Sequence, residues 1–260
     1  MANGSGSSRL YQQIRMSGNS RAHLGDTYHY GPSEDQHMLE SILESLYYPE
    51  MKTRSRNVSD AGTDTFEWIY EEATRRRHDE KGNQRYSRRW ESAYEEDQVA
   101  RRRFATNFRN WLEAADDRVF WITGKPGSGK STLMKFLRDH ESTDASLRKW
   151  ADGHRLLVAD HFFWLPGDAL QNSVEGLLRA LLHDILKCLS TDLSSARTIC
   201  GPKRWSLEGS RRSWSLRELK AMIMRIRSAT DLRVFFFIDG LDECSPKQSH
   251  GQLIDLLLDC

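Results

Sequence analysis

The sequence predicts an α/β fold, a parallel sheet layered between helices and preceded by a helical extension, on three observations. A short apolar run at 119–122 leads through a glycine-rich loop into a helical pattern. A second apolar run, at 156–164, stops at Pro166 and Gly167. A third, at 234–238, runs straight into Asp239. Short apolar runs separated by longer helical patterns are what a parallel sheet built from strand–helix–strand units requires.

Taken in order, residues 1–33 are rich in Gly, Ser, Asn and other polar residues, too few of them apolar to build a core. Within them, Ala22, Leu24 and Tyr28 share a period-two face, so 18–31 reads as an exposed segment able to pair edge to edge with copies of itself. Residues 34–115 form a helical lead-in. Leu39, Ile42, Leu43, Leu46 and Tyr47 recur at helical spacing, and Pro49 ends that run. The segment 65–70 opens a further aromatic-rich helical stretch. Arg75, Arg76, Arg77, Arg88 and Arg89 follow, with Tyr86 and Trp90 among them. Glu71, Glu72, Asp79, Glu80, Glu91, Glu95 and Glu96 offset these arginines, which makes the region a solvated face rather than a nucleic-acid surface. A stronger helix is expected over 94–112, with Val99, Phe104, Phe108, Trp111 and Leu112 on one side and Asp97 four residues ahead of Arg101. Asp116 and Asp117 turn the chain into the first apolar run.

Residues 116–260 carry the chemistry. Positions 124–131 fit the phosphate-loop pattern G-x-x-x-x-G-K-[ST] at every required place, and Thr132 follows. A polyphosphate is wrapped by backbone N–H groups that all point inward, and Gly124, Gly127 and Gly129 allow the dihedrals and close approach this needs. Pro126 stiffens the loop, and Lys125 and Ser128 complete it. The helix starting near Lys130, with Leu133, Phe136, Leu137 and His140 in phase, adds unpaired N–H groups and the positive end of its dipole. Lys130 supplies a mobile charge for the β- and γ-phosphates, and the Ser131 hydroxyl is a ligand for Mg²⁺.

Further on, His161 lies inside an apolar run with no cysteine or carboxylate at ligand spacing and reads as a histidine that is buried or at the lip of the site. The strongest stripe of the chain follows: Leu170, Val174, Leu177, Leu178, Leu181, Leu182, Ile185 and Leu186. Residues 202–213 make a connection, and Leu216, Leu219, Ile223 and Ile226 mark another helix. The run 234–238 then delivers Asp239, Asp242 and Glu243 to the C-terminal edge of the sheet, where ligands of open α/β folds bind. Asp239 is expected to hold Mg²⁺ opposite Ser131. Asp242 and Glu243 are candidates to orient or deprotonate an attacking water, Glu243 first. These residues together predict a three-layer phosphate-loop NTPase.

Of the 260 residues, 38% are hydrophobic and 29% charged, with a net charge of +1. That balance argues against a dedicated nucleic-acid binder. Cys188, Cys200, Cys244 and Cys260 lack paired spacing and read as thiols of a reducing compartment. No run reaches membrane-spanning length and the N-terminus lacks a secretory core, so a cytoplasmic protein is expected, in which the sequon at Asn57 is silent.

WITGKPGSGKSTLMKF, HFFWLPGDALQNSVEGLLRALLHDIL and FFFIDGLDE together resemble the NACHT nucleotide-binding domain of fungal NOD-like receptors, members of the STAND class of signalling ATPases. LESLYYPEMKTRSRN and TFEWIYEE are similar to the helical lead-in of that group. The resemblance implies ATP or ADP with Mg²⁺, adenine as the base, and slow hydrolysis that resets a switch. It also implies self-association through the NTPase domain in the full-length receptor. SGNSRAHLGDTYHY is similar to a short amyloid-forming motif of some such receptors, which implies a death-effector partner for the tail. Family members continue to a sensor strand, a winged helix and a repeat array. The sensor strand normally lies between the phosphate-loop strand and the acidic strand, so the sheet is expected to be incomplete at its C-terminal end, with two unpaired edges. The competing reading is a truncated interaction module that binds partners without turnover.

Overall fold

The computed structural model describes residues 33–71, 88–114 and 119–244, with 88–94 by backbone alone. The tail segment 18–31, Arg75 to Arg77, the turn at Asp116 and Asp117, Cys260 and the apolar residues at 253–258 lie outside the described residues. Residues 34–260 make one compact unit, whose described part is as follows. Helices α1 (Glu34–Leu46), α2 (Thr53–Asn57) and α3 (Arg88–Glu113) precede the phosphate loop. α4 (Lys130–Asp139) and α5 (Glu141–Ala151) then lead to β1 (Arg155–Phe162). A helical crossover of α6 (Val174–Cys188), α7 (Leu193–Cys200), α8 (Leu207–Ser210) and α9 (Leu216–Arg227) returns the chain to β2 (Leu232–Asp239).

β1 and β2 pair in parallel, Arg155 opposite Leu232 through Phe162 opposite Asp239. Parallel neighbours need such a crossover, and they are buried on both faces. Alternation along the strands divides the core accordingly. Leu157 and Ala159, with Leu232, Val234, Phe236 and Ile238, face the cluster built from α1, α6, α7 and α9. Leu156 and Val158, with Phe235 and Phe237, face the aromatic cluster of α3, α4 and α5. This is an α/β arrangement with helices on both sides of the sheet.

The apolar run at 119–122 carries no ladder among the described residues, although it was expected as a strand. Its apolar character is used in packing instead. Phe120 lies 5.3 Å from both Phe108 and Trp111 of α3, and Trp111 lies 5.5 Å from Phe235 of β2. The run therefore shares an aromatic cluster with β2 without hydrogen bonding to it, while Trp121 is 50% exposed. Among the described residues the sheet has two strands.

Helix ends explain several boundaries. Ser173 caps α6 by accepting from Gly176 N–H at 3.1 Å, so Leu170 falls before the helix rather than inside it. Ser215 and Glu218 form a capping box on α9. The phosphate-loop helix stops at Asp139 because His140 leaves it to cap α5, its Nδ1 accepting from Ser142 N–H at 3.1 Å. The expected helical stretch at 65–70 is a single 3₁₀ turn, Glu67–Ile69. Two expected core residues face outward. Tyr47 is 52% exposed beyond the end of α1, and Val99 is 65% exposed, ahead of the point where Arg101 and Phe104 of α3 meet Trp68.

The lead-in is docked by its carbonyl groups. Arg179 of α6 donates to the carbonyl oxygens of Ser45, Leu46 and Tyr47 at 2.9, 3.0 and 3.2 Å, satisfying groups that the end of α1 leaves unpaired. Met38, Leu39, Ile42 and Leu46 are buried beneath it. Gly176 is required where α6 passes the preceding turn, because a Cβ there would lie 1.8 Å from the Leu170 carbonyl oxygen. Gly176→Ala is expected to destabilise the fold by about 3 kcal/mol, the upper range for overpacking. Chemical denaturation of the purified variant checks it.

Candidate functional site

Gly127 and Gly129 hold positive φ, 74° and 83°, so the loop bends where only glycine does so without strain. Gly129 is the N-cap of α4 and offers no side chain to its first N–H groups. Those donors are left facing the loop, the arrangement an anion uses. Gly124 is needed for close approach, since a Cβ there would sit 2.9 Å from Ser128 Oγ. Lys130 folds back over the loop, its Nζ donating to the carbonyl oxygens of Gly124 at 2.9 Å and Lys125 at 3.2 Å. Lys125, Pro126 and Ser128 are exposed, and Ser131 and Thr132 are half-buried in the first turn of α4.

Across from α4, Asp239 ends β2 with only 6% of its surface exposed. Burial raises its pKa above the ordinary carboxylate value. A hydrogen bond from the Ser131 side chain and the positive charge of Arg54 pull it back, and the carboxylates of Glu243 and Asp242 push it further up. Ser131 and Asp239, on elements more than a hundred residues apart, therefore lie near enough for the hydroxyl to act on the carboxyl's pKa. One carboxylate and one hydroxyl are hard oxygen donors, and they fit Mg²⁺, which keeps several waters and takes its remaining ligands from phosphates. Among the described residues no group of three or more His, Cys, Asp or Glu side chains could hold a metal by itself, so phosphate oxygens would be needed to complete the shell.

The acidic turn after β2 is tightly built. Gly240 takes φ 71°, and the following 3₁₀ turn, Leu241–Glu243, brings the chain back so that Glu243 Oε2 accepts from Leu165 N–H at 2.9 Å. Glu243 is thus aimed by the loop that follows β1, whereas Asp242 points into solvent. Arg54, whose charge lowers the pKa of Asp239, comes from a five-residue helix too short for a periodic signal in the sequence.

The chain matches the family profile described as nephrocystin 3, N-terminal, over residues 104–260. The chain belongs to the nephrocystin 3 N-terminal family. Its matched region opens inside α3 and contains the phosphate loop, the two-stranded sheet and the acidic turn, while α1, α2 and Arg54 precede it. No curated protein and no solved structure gave a significant match. No helix among the described residues of this family member is long and apolar enough to cross a membrane.

His161 is 1% exposed on β1, edge-on to Phe163 at 4.7 Å, with no hydrogen-bond partner of normal geometry on either ring nitrogen. Burial and then the charge of Lys52 depress its pKa to about 3, against weaker opposing effects of the Gln171 backbone and Asp184. It is a neutral core side chain, as its sequence setting implied. In the unfolded chain a histidine titrates near 6.5, so between about 6.5 and about 3 the unfolded state binds more protons and folding stability is lost as the pH drops through that window. The slope approaches about 1.4 kcal/mol per pH unit inside that window. His161→Leu is expected to flatten this acid limb, read as the pH dependence of the unfolding midpoint between pH 7 and 4.

Proposed function

We propose that the chain is a nucleotide-binding switch domain of the NACHT type, holding ATP or ADP with Mg²⁺ at the junction of the phosphate loop and the acidic turn. The observation that carries this is a glycine loop of positive φ that Lys130 already spans, leading into α4, whose Ser131 is close enough to the buried Asp239 at the end of β2 to lower that carboxyl's pKa. The two halves of the motif were read separately in the sequence, and their convergence supports a common ligand.

In this reading the N–H groups at the start of α4 and along 124–129 take phosphate oxygens. Lys130 exchanges its loop carbonyls for a more negative acceptor. Ser131 and Asp239 would hold Mg²⁺, which would supply positive charge against that of the phosphates. Glu243, fixed by Leu165 N–H, orients or deprotonates water. Adenine preference, self-association in a full-length receptor, an effector partner at the tail and a cytoplasmic setting come with the NACHT resemblance and are part of the proposal.

Lys130→Ala is expected to weaken ATP binding by about 100-fold or more, since hydrogen bonds to charged groups are the stronger class and this residue makes several. Titration with a fluorescent ATP analogue measures it, and unchanged affinity would overturn the assignment. Glu243→Gln is expected to retain binding while slowing turnover by about 100-fold, in the usual range for general acid–base groups. Phosphate release by the purified proteins reads that difference. Equal turnover removes Glu243 from the role, and no turnover in the parent protein favours a binding module without hydrolysis.

A further inference from the structure

We propose that Gln171 is a positioning residue for Glu243, anchoring to the lead-in at Glu50 the loop whose Leu165 N–H holds that carboxylate. The proposal rests on the nucleotide-site reading above and deepens it, by naming what fixes the acid assigned there to water.

The geometry runs through one peptide unit. Glu243 Oε2 accepts from the Leu165 N–H at 2.9 Å, and the carbonyl of that same peptide, on Trp164, accepts from the Gly167 N–H at 3.0 Å. A peptide unit is planar with its N–H and C=O opposed, so the bond that fixes the carbonyl also sets where the N–H points. Gln171 holds the rest of the loop. Its carbonyl oxygen accepts from the Trp164 N–H at 3.3 Å, and its Oε1 accepts from the Asp168 N–H, next to Gly167, at 3.0 Å. Asp168 returns the contact, its Oδ1 accepting from the N–H groups of Leu170 and Gln171 at 2.9 Å each. The loop closes so tightly on this side chain that a Cβ on Gly167 would lie 2.2 Å from Gln171 Oε1.

The same amide is tied to the lead-in. Gln171 Nε2 donates to the carbonyl oxygen of Glu50 at 3.1 Å, and Gln171 is only 3% exposed, so neither end of the amide can exchange its partner for water. Glu50 is itself held in place: Tyr48 and Met51 near it are buried, and Lys52 pairs with Asp160 and Asp184. Glu50 precedes the region that matches the family profile, and Glu243 lies inside it. The lead-in therefore reaches the acidic turn through this side chain, and a displacement of one is passed to the other as a shift of the Leu165 N–H. A carboxylate that orients or deprotonates water works only within a narrow range of positions, and a misplacement of about 1 Å costs up to about 100-fold in rate.

The test uses the whole chain, with phosphate release from ATP and titration with a fluorescent ATP analogue both read in Mg²⁺. Gln171→Met keeps the length of the side chain and removes both amide groups. It is expected to lower kcat about tenfold with affinity within about twofold of the parent protein, a loss of positioning rather than of binding. Combined with Glu243→Gln it is expected to add no further loss, since the residue acts through that carboxylate. Gln171→Asn, whose amide sits on a stem one methylene shorter, is expected to lose about threefold in kcat and serves in its place if the methionine variant does not fold. Turnover equal to the parent protein's in a folded Gln171 variant, while Glu243→Gln is slow, overturns this proposal alone. Losses that add in the double variant, or a fall in affinity that matches the fall in kcat, also overturn it, because Gln171 then acts on the fold and not through Glu243. Absence of turnover by the parent protein, or equal turnover in Glu243→Gln, overturns the role given to Glu243 above and this proposal with it.

Discussion

A carboxylate at the end of a buried strand is the constraint around which the described structure is arranged. Burial raises the pKa of Asp239, a hydroxyl on α4 and a positive charge on α2 work against that desolvation, and two further acids close by add to it. Each of those partners arrives on a different element, so the position of β2 determines what α2 and α4 must do. The parallel pairing with β1 supplies that position, and the two apolar clusters on its faces hold it. Burying charge beside charge opposes folding, and sites that tolerate it are commonly those that bind or react.

The lead-in is part of the same framework rather than an appendage. Its first helix is bound through carbonyl oxygens to Arg179, and its second is locked by Lys52 into a group of charges with Asp160, Asp184 and Arg138. Burial alone would raise the pKa of Asp184, but His183, Lys52 and the Asp160 N–H outweigh it and hold the carboxyl below the usual value. Breaking one member of such a group leaves its partners partly buried and unpaired, which is more harmful than never having built it. The charges therefore favour one placement of α2 on the strands.

Much of this was legible in the residues themselves. The glycines at 124, 127 and 129 announced a loop with special dihedrals, and the leucine stripe of α6 and the apolar run 234–238 of β2 pointed to packed elements. Less visible were α5 and α7, whose sequences, ESTDASLRKWA and LSSARTIC, are too polar or too short for a periodic signal. The run at 119–122 looked like a strand by composition, but a strand is defined by its neighbour, and composition does not supply one. The sequence named Ser131 and Asp239 as a pair through motif spacing. It gave no sign that Arg54 would act on Asp239, because that proximity follows from the docking of α2 and not from any local pattern. The outward turn of Val99 had the same origin, because a helical stripe shows which residues align, not where along the helix the partner begins.

His140 ends one helix and begins the next, its ring stacked on Tyr70 at 4.3 Å with Glu67 within 3.4 Å. No linker lies between α4 and α5 to absorb displacement. α4 is about 15 Å long at 1.5 Å per residue, so a tilt at Ser131 swings its far end like a lever resting on that imidazole. Any rearrangement of the loop is consequently felt at the aromatic turn at the far end of α4, through a joint that has no slack.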